Sequence, residues 1–112
     1  MILVCLSTFP ELEVARRISG VLVEEGLVAC VNLLPAVESI YTWQGKREAG
    51  VEVLAVLKTT QAGYAALEKR LLELHPYEVP ELIALPAVQA AAGYAAWVTE
   101  HSGGAGGSGV RD

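Results

Sequence analysis

The sequence predicts an α+β fold: a ferredoxin-like βαββαβ sandwich with an extra C-terminal helix, an antiparallel sheet, and a long hairpin between the second and third strands. Three observations carry this. Two segments with helical apolar spacing are separated by a long pair of strand-like runs. Those runs are joined by one short polar turn, Gln44-Gly45-Lys46-Arg47. A further short strand-like run and an alanine-rich helix close the chain.

Taken in order, residues 2–6 are an unbroken apolar run rich in strand formers, and Thr8-Phe9-Pro10-Glu11 follows with the spacing of a capping box. From Glu11 onward Val14, Ala15, Ile18, Val21 and Leu22 recur at helical spacing, and Gly26 supplies the left-handed residue that closes such a helix. Residues 28–34 return to strand character, Pro35 interrupts them, and residues 37–43 resume, which predicts one long strand bent or bulged at the proline. Residues 51–59 form the matching return strand. After Thr60, read as an N-cap, Tyr64, Leu67, Leu71 and Leu74 describe a second amphipathic helix that ends before Pro76. Residues 75–81 hold two prolines, which push the residues before them toward extended geometry, so a stiff loop is expected there. Residues 82–85 give a fourth strand and residues 90–100 a terminal helix carrying Tyr94 and Trp97. One domain over residues 1–102 and a flexible glycine-rich tail over residues 103–112 complete the organisation.

Composition narrows the function. Apolar residues make up 53% of the chain and charged residues 19%. The third strand alternates Val51, Val53, Ala55 and Leu57 with Leu54 and Val56, and the first is equally apolar on both faces. Two helices cover only one face of a sheet, so the other calls for the terminal helix, a second copy of the chain, or both. Self-association is the expectation. A net charge of −5 without a Lys/Arg cluster argues against nucleic acid as a partner. No run approaches the roughly 18 apolar residues of a membrane span, and Met1-Ile2-Leu3-Val4 lacks the basic start of a signal peptide, so no membrane partner and a cytoplasmic location are expected. Cys5 and Cys30 sit in apolar runs without C-x-x-C spacing and read as buried free thiols. No G-x-S-x-G, H-E-x-x-H or phosphate-loop lysine motif is present, and no catalytic set is predicted.

Three stretches carry a family resemblance: Ala29-Cys30-Val31-Asn32-Leu33-Leu34-Pro35; Ser39-Ile40-Tyr41-Thr42-Trp43-Gln44-Gly45-Lys46 leading to Leu57-Lys58-Thr59-Thr60; and His75-Pro76-Tyr77-Glu78-Val79-Pro80-Glu81. In order and spacing they resemble the hallmark segments of the CutA divalent-cation-tolerance family. The resemblance implies a homotrimer whose hairpins pack around a three-fold axis, with a link to tolerance of divalent cations, copper above all. It also implies a metal ion, copper or zinc, or a small anion in clefts between subunits. Where relatives offer proposed metal ligands, this chain has Ser7 and Leu74, and His75 remains with Glu81 nearby.

The candidate metal residues are therefore His75 and Glu81, and the candidate cleft residues are Asn32, Tyr41, Trp43, Lys58, His75, Tyr77 and Glu81. His75 reads either as a ligand or as the end of the second helix interacting with free carbonyls. Asn32 reads as a register-fixing hydrogen bond at a bulge or as a pocket residue. Tyr41 and Trp43 read as anchors of a subunit contact or as cleft walls. Lys58 and Glu52 project from one face of the third strand and are expected to pair across the oligomer. Two other readings stand beside the leading one: a small-molecule sensor similar to the PII signalling trimers, and a trimeric scaffold whose clefts bind nothing.

Overall fold

The computed structural model describes residues 1–103; the predicted tail lies, beyond Gly103, outside the described residues. The elements run β1 (Ile2–Phe9), α1 (Leu12–Glu24), β2 (Cys30–Trp43), β3 (Lys46–Thr60), α2 (Tyr64–Leu74), β4 (Ile83–Pro86) and α3 (Ala92–His101). The sheet order is β2-β3-β1-β4 with every pairing antiparallel, as the ferredoxin-like reading requires. Among the described residues no helix is long and apolar enough to cross a membrane.

The helices follow from their spacing. In α1 the buried stripe is Ala15, Ile18, Ser19 and Leu22, and in α2 it is Leu67 and Leu71. Both meet the sheet face formed by Leu3, Cys5, Phe9, Val53, Ala55 and Leu57 in one core. Arg70 of α2 ties the pair together through two 2.9 Å contacts with the carboxylate of Glu25, just past α1. Gly26 closes α1 as expected: at φ 72° it donates to Val23 at 3.0 Å while Leu27 donates to Leu22 at 3.0 Å. That pair of bonds is the Schellman arrangement, with Leu22 and Leu27 buried together as its apolar contact.

The helix starts differ from expectation. Thr8 and Glu11 form no capping box, because β1 runs on to Phe9 and commits Thr8 to the ladder opposite Leu54. Glu11 becomes an extended N-cap without a side-chain cap. Thr60 is likewise the last residue of β3, and the N-cap of α2 is Gly63. The Thr60 hydroxyl instead accepts from the Gly63 amide at 3.1 Å, one turn ahead of the helix. A Cβ on Gly63 would lie 3.0 Å from the Ser102 carbonyl, so the glycine admits the end of α3.

The strand pair shows the predicted irregularity. Pairing passes from Leu34↔Leu54 directly to Val37↔Glu52, leaving Pro35 and Ala36 opposite a single residue of β3. One extra residue reverses side-chain parity. Even-numbered Asn32 and Leu34 before the bulge therefore share a face with odd-numbered Ser39, Tyr41 and Trp43 after it. The turn is narrower than expected, Gln44-Gly45 alone, with φ 53° and 81°. Two positive φ values define the type I′ turn whose twist suits a two-residue hairpin. The arm stretches the chain to 46 Å along its longest axis.

The second sheet face is covered at one end only. There α3 buries Val98 against Ile2 and Ala29. Beyond it Leu34, Ile83 and Leu85 stay about half exposed, at 44%, 50% and 48%. The two-faced apolar pattern is therefore real, and α3 satisfies only part of it.

Candidate functional site

At the end of the sheet away from α3, the hairpin arm and the 75–81 loop enclose an open cavity of about 580 Å³. Its lining is Thr8, Ser39, Ile40, Tyr41, Trp43, Glu52, Tyr77, Glu78, Val79 and Glu81. The Leu34/Val37 bulge is what delivers Tyr41 and Trp43 to this wall, on the same face as Glu52. Without it, Thr42 and Ile40 would take the face of Glu52, although Ile40 also reaches the cavity from the face it has.

The opposite wall is pinned by residues that the sequence marks for other roles. Ser7 is fully buried, and its hydroxyl donates to the Glu81 carbonyl at 2.7 Å. His75 is 8% exposed and stacks on Phe9 with ring centres 4.7 Å apart and planes 14° apart. Its Nδ1 accepts from the Tyr77 amide at 3.2 Å, which assigns the proton to Nε2, and Nε2–H donates to the Thr8 carbonyl at 2.8 Å. Burial lowers the pKa of this imidazole below 6.5, against the opposing pull of the Thr8 hydrogen bond and of Glu52. A neutral ring with both nitrogens engaged has no lone pair to offer a metal. Within the chain His75 therefore anchors the 75–81 loop, and the carbonyl it holds belongs to β1 rather than to α2.

Tyr77 donates its hydroxyl to Glu52 at 2.6 Å, bridging loop and sheet across the cavity floor. Burial first, then this hydrogen bond, raises the Tyr77 pKa well above that of a free phenol. Among the described residues no group of three or more His, Cys, Asp or Glu side chains is disposed to hold a metal ion.

The predicted cleft set therefore divides. Tyr41, Trp43, Tyr77 and Glu81 line the cavity, while His75 stands behind it in the core. Asn32 and Lys58 lie elsewhere, near α3, where Lys58 Nζ donates to Asn32 Oδ1 at 2.8 Å. Asn32 neither sits at the bulge nor lines the cavity. Lys58 and Glu52 do share a face, as the alternation predicts, but within the chain each has its own partner, Asn32 and Tyr77. Cys30, expected to be buried, is only partly buried, with its sulfur 3.8 Å from Lys58 Nζ and 3.6 Å from the Tyr94 hydroxyl. Cys5 is buried as expected, and desolvation pushes its thiol up to about 11.

Sequence reasoning missed Thr8, Ser39, Ile40, Glu78 and Val79 as lining residues and left Glu52 out of the cleft set. The signal for Glu52 was present: carried through the bulge, strand parity places it on the same face as Tyr41.

Fold and cavity together define a small ferredoxin-like α+β protein whose projecting hairpin and proline-bounded loop frame a ligand-sized opening. The family model described as CutA1 divalent ion tolerance protein matches residues 3–101. The chain is 46% identical over 100 residues to the divalent-cation tolerance protein CutA of Thermus thermophilus, covering 89% of this chain and 97% of that one. It is 45% identical over 93 residues to human protein CutA, covering 83% of this chain and 52% of the human one. The solved Cut A1 structure from Thermus thermophilus superposes with a TM-score of 0.88 at 45% identity, covering 91% of this chain and 99% of that one. The chain belongs to the CutA divalent-cation tolerance family.

Proposed function

We propose that this chain works as a cytoplasmic homotrimer in tolerance of divalent cations, copper among them, by holding a small ligand in the cavity between the hairpin arm and the 75–81 loop. One observation carries the reading: the apolar surface that the fold leaves uncovered. Leu34, Ile83 and Leu85 on the open sheet face, and Ile40 and Val51 at 65% and 68% exposure on the other face of the arm, are large apolar side chains left in water on both faces, which packing against other copies would cover. The 14-residue β2 also forms one edge of the sheet, and an edge of that length calls for a partner strand. A two-stranded arm is marginal by itself, so packing against other copies supplies its stability.

In such a trimer a neighbour lying along the arm would roof the cavity beside Tyr41 and Trp43, turning it into a cleft between subunits. Copper tolerance is then a consequence of the liganded trimer rather than of ligation at His75. A nucleotide-type effector, as in PII-like sensing, fits less well, because its phosphates would meet Glu52, Glu78 and Glu81. Light scattering at micromolar concentration is expected to give three times the 11.9 kDa chain mass. A single-chain mass would overturn the reading.

A further inference from the structure

We infer that the cavity selects a small organic cation, a protonated amine, rather than a bare metal ion or an anion. The inference rests on the proposed ligand-binding role of this cavity and deepens it. Three aromatic residues, Tyr41, Trp43 and Tyr77, and three glutamates, Glu52, Glu78 and Glu81, line the space, and among the described residues no lysine or arginine does. Such rings attract a cation through the negative potential of their faces, most strongly when the site excludes water. The carboxylates add a like-signed field, so a cation entering the cavity is attracted by both components and an anion is opposed by the carboxylates.

Size separates an organic cation from a metal. About 580 Å³ falls in the range of small-molecule sites and far exceeds what one ion fills. A divalent metal needs several ligand atoms converging at about 2.0–2.6 Å. The glutamates do not converge in that way, as no metal-holding group of three acidic, histidine or cysteine side chains exists among the described residues. An alkylammonium instead tolerates carboxylates spread around a cavity, because its methylenes pack on the rings while its charged ends reach separate oxygens.

Among the described residues, the cations of β3 do not line the cavity. Lys58 is held by Asn32 near α3. Lys46 pairs across from Trp43 at the hairpin tip, and neither it nor Arg47 lines the cavity. The hydroxyl of Tyr77 is donated to Glu52 Oε2, which holds that carboxylate in place at the floor.

The test uses the full chain at low ionic strength, titrated separately with spermidine, tetramethylammonium, metal-free ATP and copper(II), and read by Trp fluorescence and by thermal shift. Spermidine and tetramethylammonium are expected to bind and raise the unfolding midpoint, and ATP is not. Glu52→Gln, whose amide oxygen still accepts from Tyr77, and Trp43→Leu are each expected to weaken cation binding about five- to tenfold. The assembly state of each variant is checked by light scattering, and Glu81→Gln serves if Trp43→Leu changes it. Cation binding of equal strength in wild type and all variants would mean unspecific attraction to an acidic protein and overturns the inference. Binding of ATP or copper that the cavity variants weaken, without cation binding, overturns the inference and leaves the ligand-binding role standing. No binding in any arm overturns both.

Discussion

Replacing His75 by leucine tests the claim that this imidazole holds the fold together and works as a neutral group. The substitution removes the 2.8 Å bond to the Thr8 carbonyl, the 3.2 Å bond from the Tyr77 amide and the stack on Phe9. Each hydrogen bond contributes about 1 kcal/mol and the stack about 0.5–1.5 kcal/mol, so the loss is about 3 kcal/mol, more where the orphaned backbone groups stay dry. The pH dependence distinguishes this account from a general packing defect. The folded-state pKa lies below 6.5, so between the two values the unfolded chain binds the extra proton and stability rises with pH. This contribution is complete above about pH 6.5 and is lost as pH falls toward the folded-state pKa, with a slope of at most about 1.4 kcal/mol per unit. Protonation also turns Nδ1 from acceptor to donor, facing it against the Tyr77 amide. The assay is urea unfolding of wild type and His75→Leu at matched protein concentration across about pH 7.5 to 5. The stability gap is expected to narrow as pH falls, because carboxylates common to both proteins cancel in the difference. A gap that stays constant would refute the neutral-imidazole reasoning, and a gap near zero throughout would refute the anchoring role.

Two other substitutions follow from local geometry. The Ser19 hydroxyl is buried in α1 with no hydrogen-bond partner among the described residues, so Ser19→Ala is expected to stabilise the protein by about 1 kcal/mol through relief of that burial and better helix propensity; a lower denaturation midpoint would refute it. Gly45→Ala is expected to destabilise by about 1 kcal/mol, because φ is 81° there, whereas Gly20→Ala, in open space on α1, is expected to stabilise by about 0.5–1 kcal/mol; equal effects in thermal melts would contradict the backbone argument.

The elements themselves were legible because each announces itself locally. Apolar spacing marks α1 and α2, Gly26 marks a helix end, and Pro35 marks a break that proved to be a bulge. The helix starts were less legible. Thr8 and Thr60 carry good capping chemistry, but both belong to strands: at Thr8 ladder pairing wins over a cap, and Thr60 keeps its local bond from the Gly63 amide without becoming the N-cap of α2. Cys30 was read as buried from its apolar neighbours, yet β2 lies at the sheet edge and leaves it only partly covered.

The order of elements, the two-faced apolar sheet and the family could be read from the amino-acid chain alone, since periodicity, turn residues and contiguous motifs are properties of a chain taken along its length. The same reading brought Tyr41, Trp43, Tyr77 and Glu81 under suspicion together. Where each suspect sits and what it touches was decided by contacts in three dimensions. Whether His75 is a ligand or an anchor depends on which atoms stand within 3.2 Å of its nitrogens, and those belong to Thr8, far away in sequence, and to Tyr77. Ser7 holds the loop at Glu81 for the same kind of reason, through a contact 74 residues away along the chain. Tyr41 and Trp43 share a face with Glu52, and a cavity with Glu52 and Tyr77, because one bulge reverses the parity of a strand, and a reversal of that kind has meaning only when two strands are paired.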